Sequence, residues 1–360
     1  MLISTFGPPS GYTQFCLFMI RALAEEVLQD LDYIAVDEIE QMRAAWAKRQ
    51  HPHVLFFSYS PERAMVDVFL KLDRPLLILT EHVDDITTYI MRERAQTWPW
   101  AVRLTHQCLF AINDLMLGSR ALILRREYEL TFAEFFQAIA THFQIELEER
   151  HMFGIMARAN FGADFALSDS MEKGLLARWE HAHPMYEAPE GLSRSDAKVI
   201  EQINAPLKSL MSGRNVDHFF WPQEIFIPAD TPNEILIGPI EMLGPARCLS
   251  YGPYLHLPMG RWDIAVELAV EANLSGNRIE IQFVHGSTVV SDAFDLPKAG
   301  SFLVRAHLDI DEPRAPLEIR IFMREGAIEG RLDLKSAVVD ATDGPAARRA
   351  PNQRSLRQDA

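Results

Sequence analysis

A change in the spacing of apolar residues near residue 233 constrains the fold of this chain more than any other feature of its sequence. Before that point, short apolar runs alternate with amphipathic stretches of helical spacing, which is typical of βα units. After Pro232, apolar and polar residues alternate one by one, as in 262–268, 279–283 and 317–321, which predicts half-buried antiparallel strands. The chain is therefore expected to contain an α/β domain followed by an all-β domain.

The N-terminal pattern begins with a strand, Leu2–Phe6, which the glycines and prolines of 7–11 end. Apolar residues then recur at spacings of three and four from Cys16 to Leu31, which predicts a helix. Further strands are predicted at 33–36, 54–57, 76–79 and 121–124, and helices at 37–50, 61–72, 84–94, 98–117 and 132–143. Five short apolar strands separated by helices indicate a mostly parallel sheet with helices on both faces.

Turn residues divide the chain into four segments. We expect an α/β domain at 1–160, a helical or irregular connector at 161–233, a β-sandwich or jelly roll at 234–339 and a disordered tail at 340–360. The predicted fold class is α/β plus all-β, with a mostly parallel sheet first and an antiparallel sandwich second.

The charge and the apolar runs limit the partners of this chain. It has 35 Lys and Arg against 50 Asp and Glu, and its net charge of −15 repels nucleic acid and anionic lipid. No run of 18 apolar residues and no basic leader is present, and the three cysteines lie 92 and 140 residues apart. We expect a cytoplasmic protein without a membrane span, a nucleic-acid partner or a metal; His181 and His183 alone are weak evidence for a metal site.

The loop after the first strand is the most informative segment. Ser10-Gly11-Tyr12-Thr13 opens the first helix, where unpaired N–H groups and the helix dipole favour a bound anion. The Walker pattern GxxxxGK[ST] is absent because no lysine follows Gly11. The alternative is a tight strand–helix turn in which Ser10 caps the helix.

At this loop the chain resembles the sulfotransferase branch of the P-loop fold. In that family a serine-glycine-threonine-threonine loop holds the 5′-phosphosulfate of the donor; Ser10, Gly11 and Thr13 match it here, and Tyr12 replaces one threonine. A basic residue usually precedes the serine, where this chain has Pro9. The resemblance implies an adenylyl phosphosulfate-type donor, without a metal, bound at Gly7, Ser10, Gly11, Tyr12 and Thr13.

Two further segments carry the same resemblance. The family's 3′-phosphate site contains two arginines and a serine-tyrosine pair; residues 80–84 and Thr88-Tyr89 look like a version of it without the arginines. Residues 128–130, Tyr-Glu-Leu, are similar to a short segment that follows a later strand in family members and has a structural role there. The resemblance therefore implies that Thr88 contacts the second donor phosphate, with fewer charge-assisted bonds than usual.

The catalytic base remains open between two residues. Family members place a base in the loop after a middle strand, and that loop offers Glu62 here, while His82 follows another strand. A surface histidine paired with a neighbouring aspartate is the alternative for His82. Arg125 and Arg126 could supply the missing positive charge, or form a solvated pair among nearby glutamates.

The C-terminal region contains an aromatic-rich stretch at 251–258, followed by Trp262. It looks similar to strands of carbohydrate-binding jelly-roll modules, which implies that Tyr251 and Tyr254 stack on sugar rings. Trp262 begins the inward phase of its strand and is expected in the core. The glycine and prolines beside the tyrosines could instead only shape a corner of the sheet.

Three functions remain open from the sequence. The first is sulfotransferase-like transfer of a sulfonate group from an adenylyl donor to a carbohydrate hydroxyl. The second is a non-catalytic protein that binds or assembles polysaccharide and keeps a relic P-loop domain. The third is an interaction protein whose sandwich mediates homo-oligomer formation.

Overall fold

The computed structural model describes residues 1–162, 164–178, 187 and 189–342. It divides into two compact units, one from Met1 to Gly191 and one that begins at Leu192. We name them the α/β unit and the sandwich unit. The sequence-based fold class, α/β plus all-β, is confirmed by the sheets that each contains.

The α/β unit is built on a five-stranded parallel sheet with the strand order β2-β3-β1-β4-β5. Its strands are β1 (Leu2–Phe6), β2 (Leu31–Ala35), β3 (His53–Ser58), β4 (Leu76–Thr80) and β5 (Ala121–Arg125). β1, β3 and β4 are buried almost throughout, as expected for central strands that helices cover on both faces. This sheet confirms the prediction from the apolar runs.

Helices cover the sheet in two layers. They are α1 (Gly11–Leu28), α2 (Ile39–Ala47), α3 (Arg63–Leu72), α4 (Val83–Glu93), α5 (Trp98–Met116), α6 (Phe132–Phe143), α7 (Glu149–Arg158) and α8 (Met171–Arg178). α1 packs with α6, α7 and α8 over side chains such as Leu55 and Leu79. Phe6 and Phe56 point the opposite way, where the ring of Phe69 from α3 lies 5.1 and 5.0 Å from theirs.

The strand order gathers three loops at one edge of the sheet. β1 lies between β3 and β4, so residues 7–10, 59–60 and 81–82 follow adjacent parallel strands. The connection from β1 leads to the α1 layer, whereas that from β3 leads to α3 in the other layer. Ligands of open α/β sheets bind at such a switch point, outside the carboxyl ends of the strands.

The sandwich unit begins with one helix, α9 (Arg194–Met211), and continues with two antiparallel sheets. The first sheet has the order β13-β10-β15-β6, with β8 also on β15, and the second has the order β12-β11-β14-β9-β7. The strands are β6 (His218–Pro222), β7 (Ile227–Pro228), β8 (Ile240–Glu241), β9 (Arg247–Leu255), β10 (Gly260–Glu271), β11 (Arg278–His285), β12 (Thr288–Asp295), β13 (Gly300–Ile310), β14 (Leu317–Met323) and β15 (Arg331–Ala341).

Alternate residues of these strands fill the core of the sandwich. Ile264 pairs with Val339 in one sheet and Ile281 with Ile321 in the other, and all four are buried. Trp262 is 2% exposed, and its indole N–H donates to the carbonyl oxygen of Pro258 at 3.0 Å. The burial of Trp262 agrees with the inward-facing position predicted from the alternation of apolar and polar residues in 262–268.

The structure adds detail to the segment between the two periodic regions. Phe161, Phe165 and α8 pack on the core of the α/β unit, whereas α9 and β6 belong to the sandwich unit. The predicted domain boundaries stay a prediction: 1–160, 161–233, 234–339 and 340–360. Most of the predicted tail, 343–360, lies outside the described residues. His181 and His183 also lie outside them.

The described residues contain neither a membrane-spanning helix nor a cluster of metal-ligating side chains. No helix among them combines the length and the apolar character that crossing a bilayer requires. No group of three His, Cys, Asp or Glu side chains among them is placed to hold a metal ion.

Gly7 allows β1 to end close against β4. A Cβ atom at this position would lie 2.5 Å from the carbonyl oxygen of Leu79, and the backbone cannot yield easily there. We expect Gly7→Ala to lower the free energy of unfolding of the α/β unit by about 1–3 kcal/mol in urea unfolding. Gly162→Ala is the matched control, because nothing lies within 4 Å of its added Cβ. Equal stability of the two variants would contradict this account of the contact.

Candidate functional site

The predicted anion loop is present, and its hydroxyl groups bond to each other. Ser10 caps α1: its Oγ accepts a hydrogen bond from the N–H of Thr13 at 3.1 Å. The Ser10 hydroxyl also lies 3.1 Å from Thr13 Oγ1, to which it donates. Both side chains are completely buried. The sequence left two alternatives here, and this geometry is that of the capped turn.

Gly7 and Tyr12 have structural contacts in this loop. The N–H of Gly7 donates to the carbonyl oxygen of Ser58 at 3.3 Å and links β1 to the end of β3. Tyr12 is 3% exposed, and burial, followed by the neighbouring Cys16, raises the pKa of its hydroxyl well above the usual value. Tyr12 therefore reaches into the core beside Cys16, in the helix layer of α1.

Glu81 is a charged residue at this edge that no pattern in the sequence indicated as part of a site. It follows β4 directly, and its side chain is fully buried. Burial raises the pKa of its carboxyl group to about 7, against the lowering effects of the Ser10 hydroxyl and of Arg126. A carboxylate thus lies beside the serine at which the family resemblance implies a donor phosphate.

Arg126 connects Glu81 to two other carboxylates. Its Nη1 lies 3.2 Å from Glu81 Oε2 and 3.3 Å from Asp85 Oδ2. Its Nε and Nη2 donate to the two oxygens of Glu172 at 2.8 and 2.7 Å. Such a bidentate pair fixes the guanidinium in position. The positive charge of Arg126, which the sequence analysis considered for donor binding, is therefore shared among three acidic side chains.

The two candidate bases lie in different surroundings. Glu62 Oε2 accepts a hydrogen bond from the N–H of Ile39 at 2.9 Å, so this carboxylate stabilises the start of α2. The His82 side chain is 72% exposed, and its Nδ1 lies 3.5 Å from Glu127. Thr88 lies within α4 and is half-buried. The roles of Glu62, His82 and Thr88 in catalysis or donor binding stay predictions.

In the sandwich unit, the two predicted tyrosines contact each other. The rings of Tyr251 and Tyr254 lie 6.0 Å apart at an interplanar angle of 71°. They are three positions apart along β9, which in a regular strand would place them on opposite faces. The β14–β9 register shifts between Leu317 and Glu318, and this irregularity brings both rings together.

Polar side chains surround the tyrosines on the outer face of this sheet. The Tyr254 hydroxyl donates to Glu318 Oε1 at 2.6 Å, and Arg320 Nη2 donates to Glu318 Oε2 at 2.5 Å. Arg320 lies opposite Tyr251 on one side and opposite Gln282 on the other. We call this set the Tyr251 face: Tyr251, Tyr254, Gln282, Glu318 and Arg320.

The polar groups of the Tyr251 face are fixed before any ligand arrives. Burial, followed by the bond to Glu318, raises the pKa of the Tyr254 hydroxyl, which therefore remains a hydrogen-bond donor. Gln282 Nε2 donates to Glu280 Oε1 at 2.6 Å, which orients the amide. The Arg320 side chain is 38% exposed and can reach a ligand. Because Gln282 and Arg320 alternate with buried isoleucines, a period-2 analysis extended to the polar residues could have found them.

Comparisons with known proteins find weak structural similarity. No family model matches the chain, and no curated protein matches its sequence. A crystal structure of a mouse sulfotransferase complexed with PAP is similar at a TM-score of 0.35 and 11% identity. The match covers 44% of this chain and 63% of the sulfotransferase, so this chain spans less than two thirds of the sulfotransferase's length.

Carbohydrate-binding modules are also among the similar solved structures. The C-terminal CBM6 of the marine laminarinase LamC from Zobellia galactanivorans matches at a TM-score of 0.21 and 10% identity, over 34% of this chain and 99% of that one. TmCBM61, solved in complex with β-1,4-galactotriose, matches at a TM-score of 0.22 and 10% identity. The match covers 34% of this chain and 88% of that one.

The buried carboxyl of Glu81 makes stability depend on pH. Its pKa is raised from 4.5 to about 7, so the folded chain holds this proton more tightly than the unfolded chain does. Stability therefore falls as pH rises from about 4.5 through 7, when the folded-state carboxyl ionises. Glu81→Gln cannot ionise, and we expect it to stabilise the α/β unit by about 1–3 kcal/mol at high pH and little at low pH.

Urea unfolding at pH 8.5 and pH 5 measures this difference. Glu172→Gln is the matched control, because Glu172 bonds to the same guanidinium but is partly exposed. We expect no stabilisation by this control at either pH. A Glu81→Gln variant that is less stable than the natural chain at pH 8.5 would contradict the burial cost assigned to Glu81.

Proposed function

We propose that this protein binds carbohydrate through the Tyr251 face and that its α/β unit does not transfer a sulfonate group. The observation that carries the proposal is the array of Tyr254, Glu318 and Arg320, fixed by hydrogen bonds of 2.6 and 2.5 Å beside the ring of Tyr251. It combines aromatic rings with oriented donors and acceptors on one face of the sheet.

This combination suits the chemistry of sugars. The C–H groups of a sugar ring pack on an aromatic face, while its hydroxyls require hydrogen-bond partners at fixed positions. Glu318 offers acceptor oxygens, Arg320 offers donors and Gln282 offers an amide. Because these groups are already held by their neighbours, little side-chain entropy is lost when a sugar binds.

The charges at the edge of the α/β sheet favour the binding role over the transferase role. Glu81, Asp85 and Glu172 surround one guanidinium, so this cluster is acidic when its carboxyl groups are ionised. A donor with several phosphate charges gains from basic partners and is repelled by such a cluster. Transfer from an adenylyl phosphosulfate donor, with Glu62 or His82 as base, remains the alternative function.

Affinity electrophoresis in gels that contain neutral polysaccharides tests the proposal. We expect at least one β-linked polysaccharide to retard the natural chain, and Tyr251→Ala and Arg320→Ala to weaken its binding about tenfold or more, near 1.4 kcal/mol. Leu303→Ala is the matched control, because Leu303 is 54% exposed on β13, in the other sheet.

Two results would count against the proposal. In the first, none of a broad panel of neutral and acidic polysaccharides retards the protein. In the second, Tyr251→Ala and Leu303→Ala bind a retarding polysaccharide equally well, which would place the binding surface elsewhere. Circular dichroism spectra of all variants check that the sandwich remains folded.

A further inference from the structure

β13 is the longest strand at an open edge of the sandwich unit. It has 11 residues, and β10 is the strand paired with it among the described residues. No residue of 301–309 forms a backbone hydrogen bond with a described residue outside this pair. The N–H and C=O groups along the other side of β13 therefore have no partner in the described part of the chain, and such a row is a template for a further strand.

The usual protections of an edge strand are missing from β13. Edge strands of natural proteins are often short, bulged or interrupted by proline, or they point a charged side chain towards the core. β13 has no proline and pairs with β10 without a shift in register. Its inward side chains from 304 to 310 are apolar and buried: Val304, Ala306, Leu308 and Ile310. The strand itself therefore has nothing that hinders pairing with another chain.

β12, the edge strand of the other sheet, shows the contrast. It has eight residues, and Asp292 lies directly opposite the buried Ile281 of β11, on the core side of the sheet. If another strand extended this sheet, the Asp292 carboxylate would be buried against apolar side chains at a cost in free energy. β12 is therefore protected against pairing, whereas β13 is not.

The outer face of β13 carries two charges of opposite sign. Arg305 and Asp309 are both exposed, and neither side chain forms an ion pair or a hydrogen bond with a described residue. Between them lies His307, whose imidazole contacts Asp263 on β10. The order along the strand is positive charge, imidazole, negative charge, so a second copy of the strand that runs the opposite way presents the complementary order.

We propose that β13 pairs antiparallel with β13 of a second copy of this chain, so that two sandwich units share one continuous sheet. The pair is centred on His307, and Arg305 of each copy lies opposite the partner's Asp309. Residues directly opposite each other in an antiparallel pair share one face of the sheet, so both opposite charges meet there. The interface thus contains two symmetric ion pairs and the backbone hydrogen bonds that β13 lacks in one copy.

The same register continues the apolar core from one copy to the other. Val304 lies opposite the partner's Ile310, and Ala306 lies opposite the partner's Leu308, so buried side chains meet buried side chains. A pair centred on Arg305 would instead place two guanidinium groups opposite each other, which is unfavourable.

The paired segment spans 304–310. The Tyr251 face lies on the other sheet, so the proposal is independent of glycan binding.

Charge reversal on β13 tests both the dimer and its register. We expect sedimentation velocity of the natural chain from about 1 to 100 μM to show a reversible dimer. Arg305→Asp and Asp309→Arg each create two like-charge contacts in the symmetric pair, so each should raise the dissociation constant about tenfold or more. The double variant, Arg305→Asp with Asp309→Arg, brings opposite charges together again and should restore the dimer.

Lys198→Asp is the matched control, because Lys198 is exposed on α9 and undergoes the same change of charge away from β13. We expect it to dimerise like the natural chain. A natural chain that stays monomeric over this range overturns the proposal. So does a dimer that either single variant leaves as tight as Lys198→Asp does, or a double variant that dimerises no better than the single variants.

Hydrogen exchange of the natural chain covers the case in which the variants do not fold. Peptides are followed by mass spectrometry at about 1 and 100 μM protein. We expect 304–310 to exchange more slowly at the higher concentration, because pairing protects its amides, and 288–295 of β12 to exchange equally at both. Exchange in 304–310 that is the same at both concentrations overturns the proposal, whichever other segment is protected.

Discussion

The ion pair between Arg126 and Glu81 determines the character of the ligand edge of the α/β sheet. A fully buried carboxylate is costly unless a cation accompanies it, and here the guanidinium follows the neighbouring strand β5. The same guanidinium holds Asp85 at the start of α4 and Glu172 on α8. One guanidinium therefore joins three parts of the unit. Its acidic partners also bring negative charge to the edge of the sheet where a P-loop protein binds phosphate.

The general fold follows from the sequence because periodicity reports burial directly. Leu2–Phe6 and the spacing of apolar residues after it specify a buried strand and a helix, and both are present. β12 gave no such signal, since nearly all of its residues are exposed at the edge of the sheet. α7 was also missed; its two buried residues, Ile155 and Met156, are too few to establish a helical period.

The candidate sites were less predictable because they combine residues that are distant in the sequence. The capping role of Ser10 could be read locally, as one of two alternatives. The contact between Glu81 and Arg126 depends on β4 and β5 being neighbours, which no local pattern reports. The Tyr251–Tyr254 pair depends on an irregularity in the pairing of β9, and its partner Glu318 comes from a different strand.

We propose that the acidic cluster around Arg126 disfavours a sulfonate donor at the edge of the α/β sheet and that the sandwich unit binds glycan. Isothermal titration of the natural chain with adenosine 3′,5′-bisphosphate at pH 7.5 tests it most directly. We expect no saturable heat up to millimolar nucleotide. Saturable binding at micromolar concentration that is lost in Ser10→Ala would contradict the account and favour the transferase alternative.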